Sequence, residues 1–327
     1  MDLTELGQAV ASREGEHRAR IELLLADHNL EEAFTWLRRI RDLLEEGQEF
    51  QGYTQELATA VERDISRAVI ETLEGRTVDD EPYRRLGAWV VSSDYHLPVE
   101  IFTLNYDLLL ERAFEAVGVP YFDGFVGVLR ARFRRDLVDP LEPGSTGLGA
   151  LFARVWKLHG SLHWVVDADG ERTGVTRLGT PAPQEQVAAI YPSEAKYEDS
   201  RRVPFVVLFD RFRRALEAPE SILLISGYSF GDQHINEIIF EAALAHPRSE
   251  TVALCFDEIP GVLRERAKVV RNLTVFARSG FIRGGSEGLW SQTEAVAGLW
   301  DGENFLLGDF ANLVRNMPPS KLGDAGG

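Results

Sequence analysis

Three side chains with useful chemistry lie at the end of an apolar segment at residues 99–104 or just after it. Thr103, Asn105 and Asp107 offer a hydroxyl, an amide and a carboxylate within five residues. The segment itself, Val-Glu-Ile-Phe-Thr-Leu, has the composition of a buried strand. In open α/β sheets ligands bind beyond the carboxyl ends of the strands, so this is a candidate binding loop.

Two later apolar segments end in the same way. Residues 155–160 place His159 immediately before a glycine, and residues 222–230 end with Gly227 and Ser229. Imidazole can accept or donate a proton near neutral pH, and a glycine allows backbone to approach a ligand closely. Three apolar segments that end in polar loops predict one shared pocket.

From residue 98 onward, short apolar segments alternate with helical patterns, which indicates an α/β fold with a parallel sheet. After the first strand, Asp107 is the predicted N-cap of a helix at 108–117, and Gly118 is its predicted stop. Asn105 and Asp107 therefore also have a purely structural interpretation, as helix caps.

The first third of the chain has helical periodicity instead. Asn29 and Glu32 match a capping box, and the helix that they start is expected to end at Gly47. A second helix is predicted from Thr54 to Gly75. We therefore predict a helical subdomain at 1–97, an α/β core at 98–312 and a disordered tail at 313–327.

Bulk composition narrows the function classes. The chain has 327 residues, 44% of them hydrophobic, and a net charge of −17. This acidity argues against a nucleic-acid partner, because phosphate contacts require clustered lysine and arginine. No apolar segment reaches the roughly 20 residues of a membrane span, and Asp2 and Glu5 do not suit a signal peptide, so we expect a cytoplasmic protein with no membrane partner.

The single cysteine, Cys255, excludes a disulfide within the chain and a four-cysteine zinc site. It is interpreted as part of a buried strand. No metal site is predicted.

Three further polar residues have structural interpretations at this stage. His163 lies in an alternating segment closed by an Asp-Gly turn, which predicts a hairpin with His163 facing outward. Asp232 is a candidate N-cap for the helix that follows it. Asn236 is interpreted as a polar residue on that helix's surface.

Five blocks between residues 98 and 285 resemble the sirtuin-like NAD-cleaving proteins, especially the bacterial branch found in antiviral defence. The matching blocks are Thr103-Leu-Asn-Tyr-Asp107, Lys157-Leu-His-Gly160, Ile190-Tyr-Pro-Ser193 with Lys196-Tyr197, residues 227–236, and Asn272 to Arg278. Their order along the chain makes the resemblance specific. It implies a Rossmann-like parallel sheet with helices on both faces.

The resemblance also implies roles for the candidate residues, with NAD as the substrate. His159 would be the general base, and Asn105 would orient the nicotinamide ribose or the attacking water. Thr103 and Asp107 would complete this part of the site. Gly227 and Ser229 resemble the turn that holds the adenosine ribose.

One departure from the family concerns its glycine-rich first strand, whose loop cradles the dinucleotide phosphates. No such loop precedes residue 98. Lack of a central strand is expected to leave a gap in the sheet with unpaired backbone. The start codon could lie upstream, the strand could come from another chain, or the protein could be a member that has lost activity; we favour the first explanation.

Protein-deacylating sirtuins carry a four-cysteine zinc ribbon, which one cysteine cannot build. The resemblance thus favours NAD hydrolysis to nicotinamide and ADP-ribose in antiphage defence. The alternative is a catalytically inactive regulatory or scaffold subunit that binds NAD or ADP-ribose. The expected partners besides NAD are further copies of the chain or a defence-system protein.

Overall fold

A computed structural model describes residues 3–93, 97–139, 153–169, 172–179, 187–189, 203–291, 296 and 298–317. The block at 190–197 and residues 318–327 of the predicted tail lie outside the described residues. Residues 310–315, which include the start of that tail, are helical.

Five helices form the N-terminal region: α1 Leu3–Ala11, α2 Arg18–Asp27, α3 Leu30–Leu43, α4 Gln55–Glu74 and α5 Glu81–Ser92. Helix α3 begins with the predicted capping box of Asn29 and Glu32, but it ends at Leu43, before Gly47. The Thr54 side chain caps α4 by accepting the N–H of Leu57.

Apolar faces of α3 and α4 build the core of this helical region. Phe34, Leu37 and Ile65 are fully buried within one hydrophobic cluster. A partly buried ion pair between Arg38 and Glu62, with a nitrogen–oxygen distance of 2.7 Å, crosses from α3 to α4. No described helix combines the length and the hydrophobicity that a membrane span requires.

The remaining described elements alternate between strands and helices. In chain order they are β1 Val99–Thr103, α6 Leu109–Val117, β2 Tyr121–Phe122, β3 Phe125–Val126, β4 Arg130–Phe133, α7 Arg135–Val138, β5 Ala153–Lys157, β6 Gly160–Asp169, β7 Arg172–Leu178, β8 Val187–Ala189, α8 Phe205–Leu216, β9 Ile222–Ser226, α9 Gln233–Ala245, β10 Glu250–Leu254, α10 Gly261–Val269, β11 Leu273–Phe276, β12 Gly280–Arg283, β13 Ser286–Leu289, β14 Trp300–Asp301, β15 Asn304–Phe305 and α11 Phe310–Arg315. The predicted α/β class with a helical N-terminal region is confirmed.

Parallel strands occur in two separate sheets. One has the order β1-β5-β2, and the other has the order β9-β10-β11 with β12 and β13 added antiparallel. Among the described residues, β1 pairs only with β5, and β9 pairs only with β10. In β9, Ile222 is 77% exposed and Leu224 is 44% exposed. These parallel strands therefore do not form one continuous sheet.

Helix α8 connects the two parallel sheets. Phe212 of α8 packs on Phe102 of β1, with ring centroids 4.8 Å apart. Arg211 donates to the Glu100 carboxylate of the same strand at 2.6 and 3.0 Å. The helix then leads into β9, whose Ile225 lies in the same core cluster as Phe212. One amphipathic helix thus fixes β1 and the start of β9.

A third sheet, with the order β3-β4-β7-β6-β8, contains the predicted hairpin as β6 and β7. His163 on β6 does not face outward. It is partly buried, and its Nε2 has no hydrogen-bond partner among the described residues. Burial, with smaller contributions from Arg112, Lys157 and Arg177, lowers the pKa of His163 to about 4.

The lowered pKa of His163 predicts a pH dependence of stability. Between pH 6.5 and about 4 the unfolded chain takes up a proton on this residue and the folded chain does not, so the free energy of unfolding falls as the pH falls. His163→Gln removes this contribution, and its free energy of unfolding should change less over that range. Urea denaturation at a series of pH values measures the difference; parallel curves for the two proteins would contradict the prediction.

Candidate functional site

The backbone register between β1 and β5 brings the first two predicted loops together. Thr103 lies opposite Lys157 in the parallel pair, so Asn105 and His159 each follow two residues after the last paired position. Beyond that pair, the N–H of Leu158 donates to the carbonyl of Thr103 at 3.0 Å. Both loops therefore leave the sheet at the same edge.

Internal hydrogen bonds shape the loop after β1. The Thr103 hydroxyl accepts the N–H of Asn105 at 3.1 Å, and the Asp107 carboxylate accepts the N–H of Leu109 at 3.0 Å. The N-cap position of α6 is Leu108, one residue later than predicted, although the Asp107 carboxylate still binds the helix start. The predicted stop, Gly118, ends α6 in the left-handed conformation with φ 74°.

Asn105 has no such structural task among the described residues. Its side chain is exposed, and it makes no hydrogen bond to another described residue. Only its backbone N–H is used, by Thr103. The amide is therefore accessible to a ligand at this edge of the sheet.

Lys157 fixes the same loop through its buried side chain. Its side chain is only 4% exposed, and its Nζ lies 2.9 Å from a carboxylate oxygen of Glu111 on α6. The ammonium group also donates to the carbonyl of Asp107. Sequence reasoning placed Lys157 in a motif but gave it no role, since the partner on α6 is only evident in three dimensions.

Loss of this buried cation should destabilise the protein. Lys157→Met is expected to lower the free energy of unfolding by about 3 kcal/mol, because Glu111 would remain largely buried without its counter-charge. The double variant Lys157→Met/Glu111→Gln should recover much of that loss, because no unpaired charge remains. Urea denaturation at pH 7 compares the three proteins, and a single variant as stable as the wild type would contradict this role of the pair.

His159 is buried at the end of β5. Its ring lies 6.5 Å from that of Tyr106 and 6.3 Å from that of Phe209, measured between centroids. Its Nε2 lies 3.3 Å from a carboxylate oxygen of Asp232. The imidazole therefore has two aromatic neighbours and a carboxylate near one nitrogen.

The turn after β9 carries the predicted residues Gly227 and Ser229, and both are exposed. Gly227 has φ 69°, in the left-handed region that favours glycine. A Cβ atom at Gly227 would have no other atom of the described residues within 4 Å, apart from its chain neighbours, so the space beside this backbone is open. A bound group could therefore reach the turn directly.

Asn236 is not a surface residue, contrary to the prediction. It stabilises this turn from the protein interior. Its side chain is buried, and its Nδ2 donates to the carbonyl of Phe230 at 2.8 Å. The Tyr228 hydroxyl lies 2.8 Å from Asn236 Oδ1 and 3.0 Å from the carbonyl of Asp232. Phe230 has φ 58°, an unusual value for a residue with a side chain, and these contacts hold it there.

Asp232 is the N-cap of α9, as predicted. One carboxylate oxygen accepts the N–H groups of His234 and Ile235, at 3.0 and 3.3 Å. Its contact with His159 was not predicted, because nothing in the spacing along the chain relates residues 159 and 232. This contact joins the turn after β9 to the end of β5.

Burial is the main cause of the shifted pKa values of two side chains near this turn, Tyr228 and His234. It raises the pKa of Tyr228, with a further contribution from the Asp232 carboxylate. It lowers the pKa of His234, with a further contribution from the positive charge of Arg213. Both side chains are therefore uncharged near pH 7.

The predicted residues fall into two groups that meet at His159. Thr103, Asn105 and Asp107 lie on the loop beside it, and the turn with Gly227 and Ser229 reaches it through Asp232. Exposed polar groups on these two segments, together with the aromatic rings near His159, suit a ligand with ribose hydroxyls and a flat base. Among the described residues, no cluster of three or more potential metal ligands occurs.

Comparison with protein families gives a match. A family model described as a SIR2-like domain matches residues 99–274, which is more than half of the chain. The matched span begins with β1, ends within β11 and contains all the predicted site residues. No curated protein matches the chain.

Proposed function

The chain belongs to the SIR2-like family, whose members are NAD-dependent enzymes, and we propose that it hydrolyses NAD to nicotinamide and ADP-ribose. The observation that carries this proposal is the position of His159. It is a buried imidazole just after a strand, and the register of β1 with β5 brings the loop of the exposed Asn105 to the same end of the sheet, within the matched span. General bases that act on water or on ribose hydroxyls have this setting.

The proposed reaction replaces the glycosidic bond of the nicotinamide ribose by a bond to water. The water oxygen attacks C1′ of this ribose, and the C–N bond breaks with its electron pair passing to the nicotinamide ring nitrogen, which becomes neutral. His159 accepts the proton that the water loses and later releases it to solvent. The Asn105 amide, which makes no hydrogen bond to another described residue, holds the attacking water or a ribose hydroxyl in line.

The remaining candidate residues contribute to binding in this proposal. The Ser229 hydroxyl and the open backbone at Gly227 face the adenosine ribose. Thr103 sets the path of the loop through its bond to the N–H of Asn105, and Asp107 fixes the loop to α6 and places negative charge near the developing oxocarbenium ion.

A second candidate function is NAD or ADP-ribose binding without turnover, as a regulatory or scaffold subunit. It is favoured by the separation of the parallel strands into two sheets, in which β1 and β9 each pair on one side only among the described residues. No glycine-rich phosphate loop is present in the described segment before β1. Such a loop normally supplies the amides that hold a pyrophosphate.

A cytoplasmic location, a role in bacterial antiphage defence and assembly with further copies or with a defence-system protein are part of the proposal. The defence role and the assembly rest on family resemblance alone. The proposal also states that the protein has no zinc ribbon and therefore does not deacylate proteins.

Incubation of the purified chain with NAD, followed by chromatography of nicotinamide and ADP-ribose, tests the proposal. We expect turnover by the wild type, and a fall of about 10²–10⁴-fold in both His159→Ala and Asn105→Ala. His28→Ala, on the helical region, is the matched histidine control and should retain wild-type turnover.

Calorimetric titration of NAD into the same proteins separates the two candidate functions. Binding without turnover by the wild type would favour the regulatory subunit. If the wild type shows no binding and no turnover, both candidate functions are contradicted.

A further inference from the structure

The carboxylate of Asp232 has two oxygens with different partners. Oδ1 accepts two N–H groups at the start of α9, from His234 at 3.0 Å and Ile235 at 3.3 Å. Oδ2 lies 3.3 Å from Nε2 of His159. The helix N-terminus thus orients the carboxylate, and its second oxygen is presented to the imidazole.

This contact is shielded from water. The side chains of His159 and Asp232 are 7% and 8% exposed. Tyr106 and Phe209 lie beside the imidazole, and the Tyr228 hydroxyl holds the backbone of Asp232 through its carbonyl. In such a site an interaction with a carboxylate is stronger than it would be in water.

We propose that Asp232 is the positioning residue of His159 and holds the imidazole as its Nε2–H tautomer. An ionised carboxylate can only accept hydrogen bonds, so the nitrogen that faces it must carry the proton. In neutral imidazole the lone pair then lies on Nδ1, which becomes the nitrogen that accepts a proton from water. The separation of 3.3 Å is that of a close ion-pair contact, and catalytic hydrogen bonds commonly shorten and align when a substrate binds.

This inference rests on the proposed function, because it assigns a proton-accepting nitrogen to its general base. It also gives the start of α9 a role in the candidate site. The residue that caps this helix is the one that orients the imidazole, so the helix start and the base are fixed together.

Two substitutions separate the orientation of His159 from the capping of α9. Asparagine and serine are both good N-cap residues, so Asp232→Asn and Asp232→Ser retain an oxygen for the helix. Neither retains a carboxylate oxygen for Nε2. In the asparagine variant the amide N–H₂ can face the imidazole and favours the opposite tautomer.

The kinetic test compares kcat and KM for NAD in the wild type and these two variants. We expect kcat to fall by about 10²–10⁴-fold and KM to remain within about twofold. Thermal unfolding midpoints should stay within about 4 °C of the wild type, since the cap is kept. A capping role alone would leave kcat unchanged, and a wild-type kcat in both variants would overturn the inference.

A second measurement does not depend on turnover. In ¹⁵N NMR spectra of the histidine rings, with His159→Gln used to identify the signal, the wild type should show His159 as the Nε2–H tautomer. Asp232→Asn should shift it towards the Nδ1–H tautomer. If the wild type shows no turnover, the proposed function fails, but this spectrum still decides the inference: the same tautomer in both proteins would overturn it.

Discussion

The parallel pairing of β1 with β5 is the interaction on which the candidate site depends. Its register, with Thr103 opposite Lys157, makes two loops leave the sheet side by side and so brings Asn105 and His159 to one edge. A buried ion pair reinforces the pairing, because Lys157 binds both Glu111 and the loop itself. A register shift by one residue would exchange the faces of the strand and separate these groups.

The site is also the place where the two parallel sheets meet. His159 belongs to the end of β5, and Asp232 follows β9 in the other sheet, so their contact crosses from one sheet to the other. Helix α8 joins the same two units through Phe212 and Arg211. The same helix carries Phe209, whose ring centroid lies 6.3 Å from that of His159, so the helix that joins the sheets also borders the candidate site.

Much of this architecture could be predicted from local patterns. The strand at 99–103, the capping box at Asn29, the left-handed Gly118 and the cap at Asp232 all follow from residue types a few positions apart. The burial of His163, the brace at Asn236 and the contact between Asp232 and His159 depend on distances between remote segments. Periodicity does not encode such distances, and neither does it reveal how parallel strands divide between sheets.

The central claim is that the loops after β1, β5 and β9 form one NAD site. Amide hydrogen exchange of the wild type with and without saturating NAD tests it most directly, because it reports binding whether or not turnover follows. We expect slower exchange at residues 103–109, 158–163 and 226–236, and no change in α3 and α4. Protection confined to the N-terminal helices, or no protection at saturating NAD, would contradict the claim.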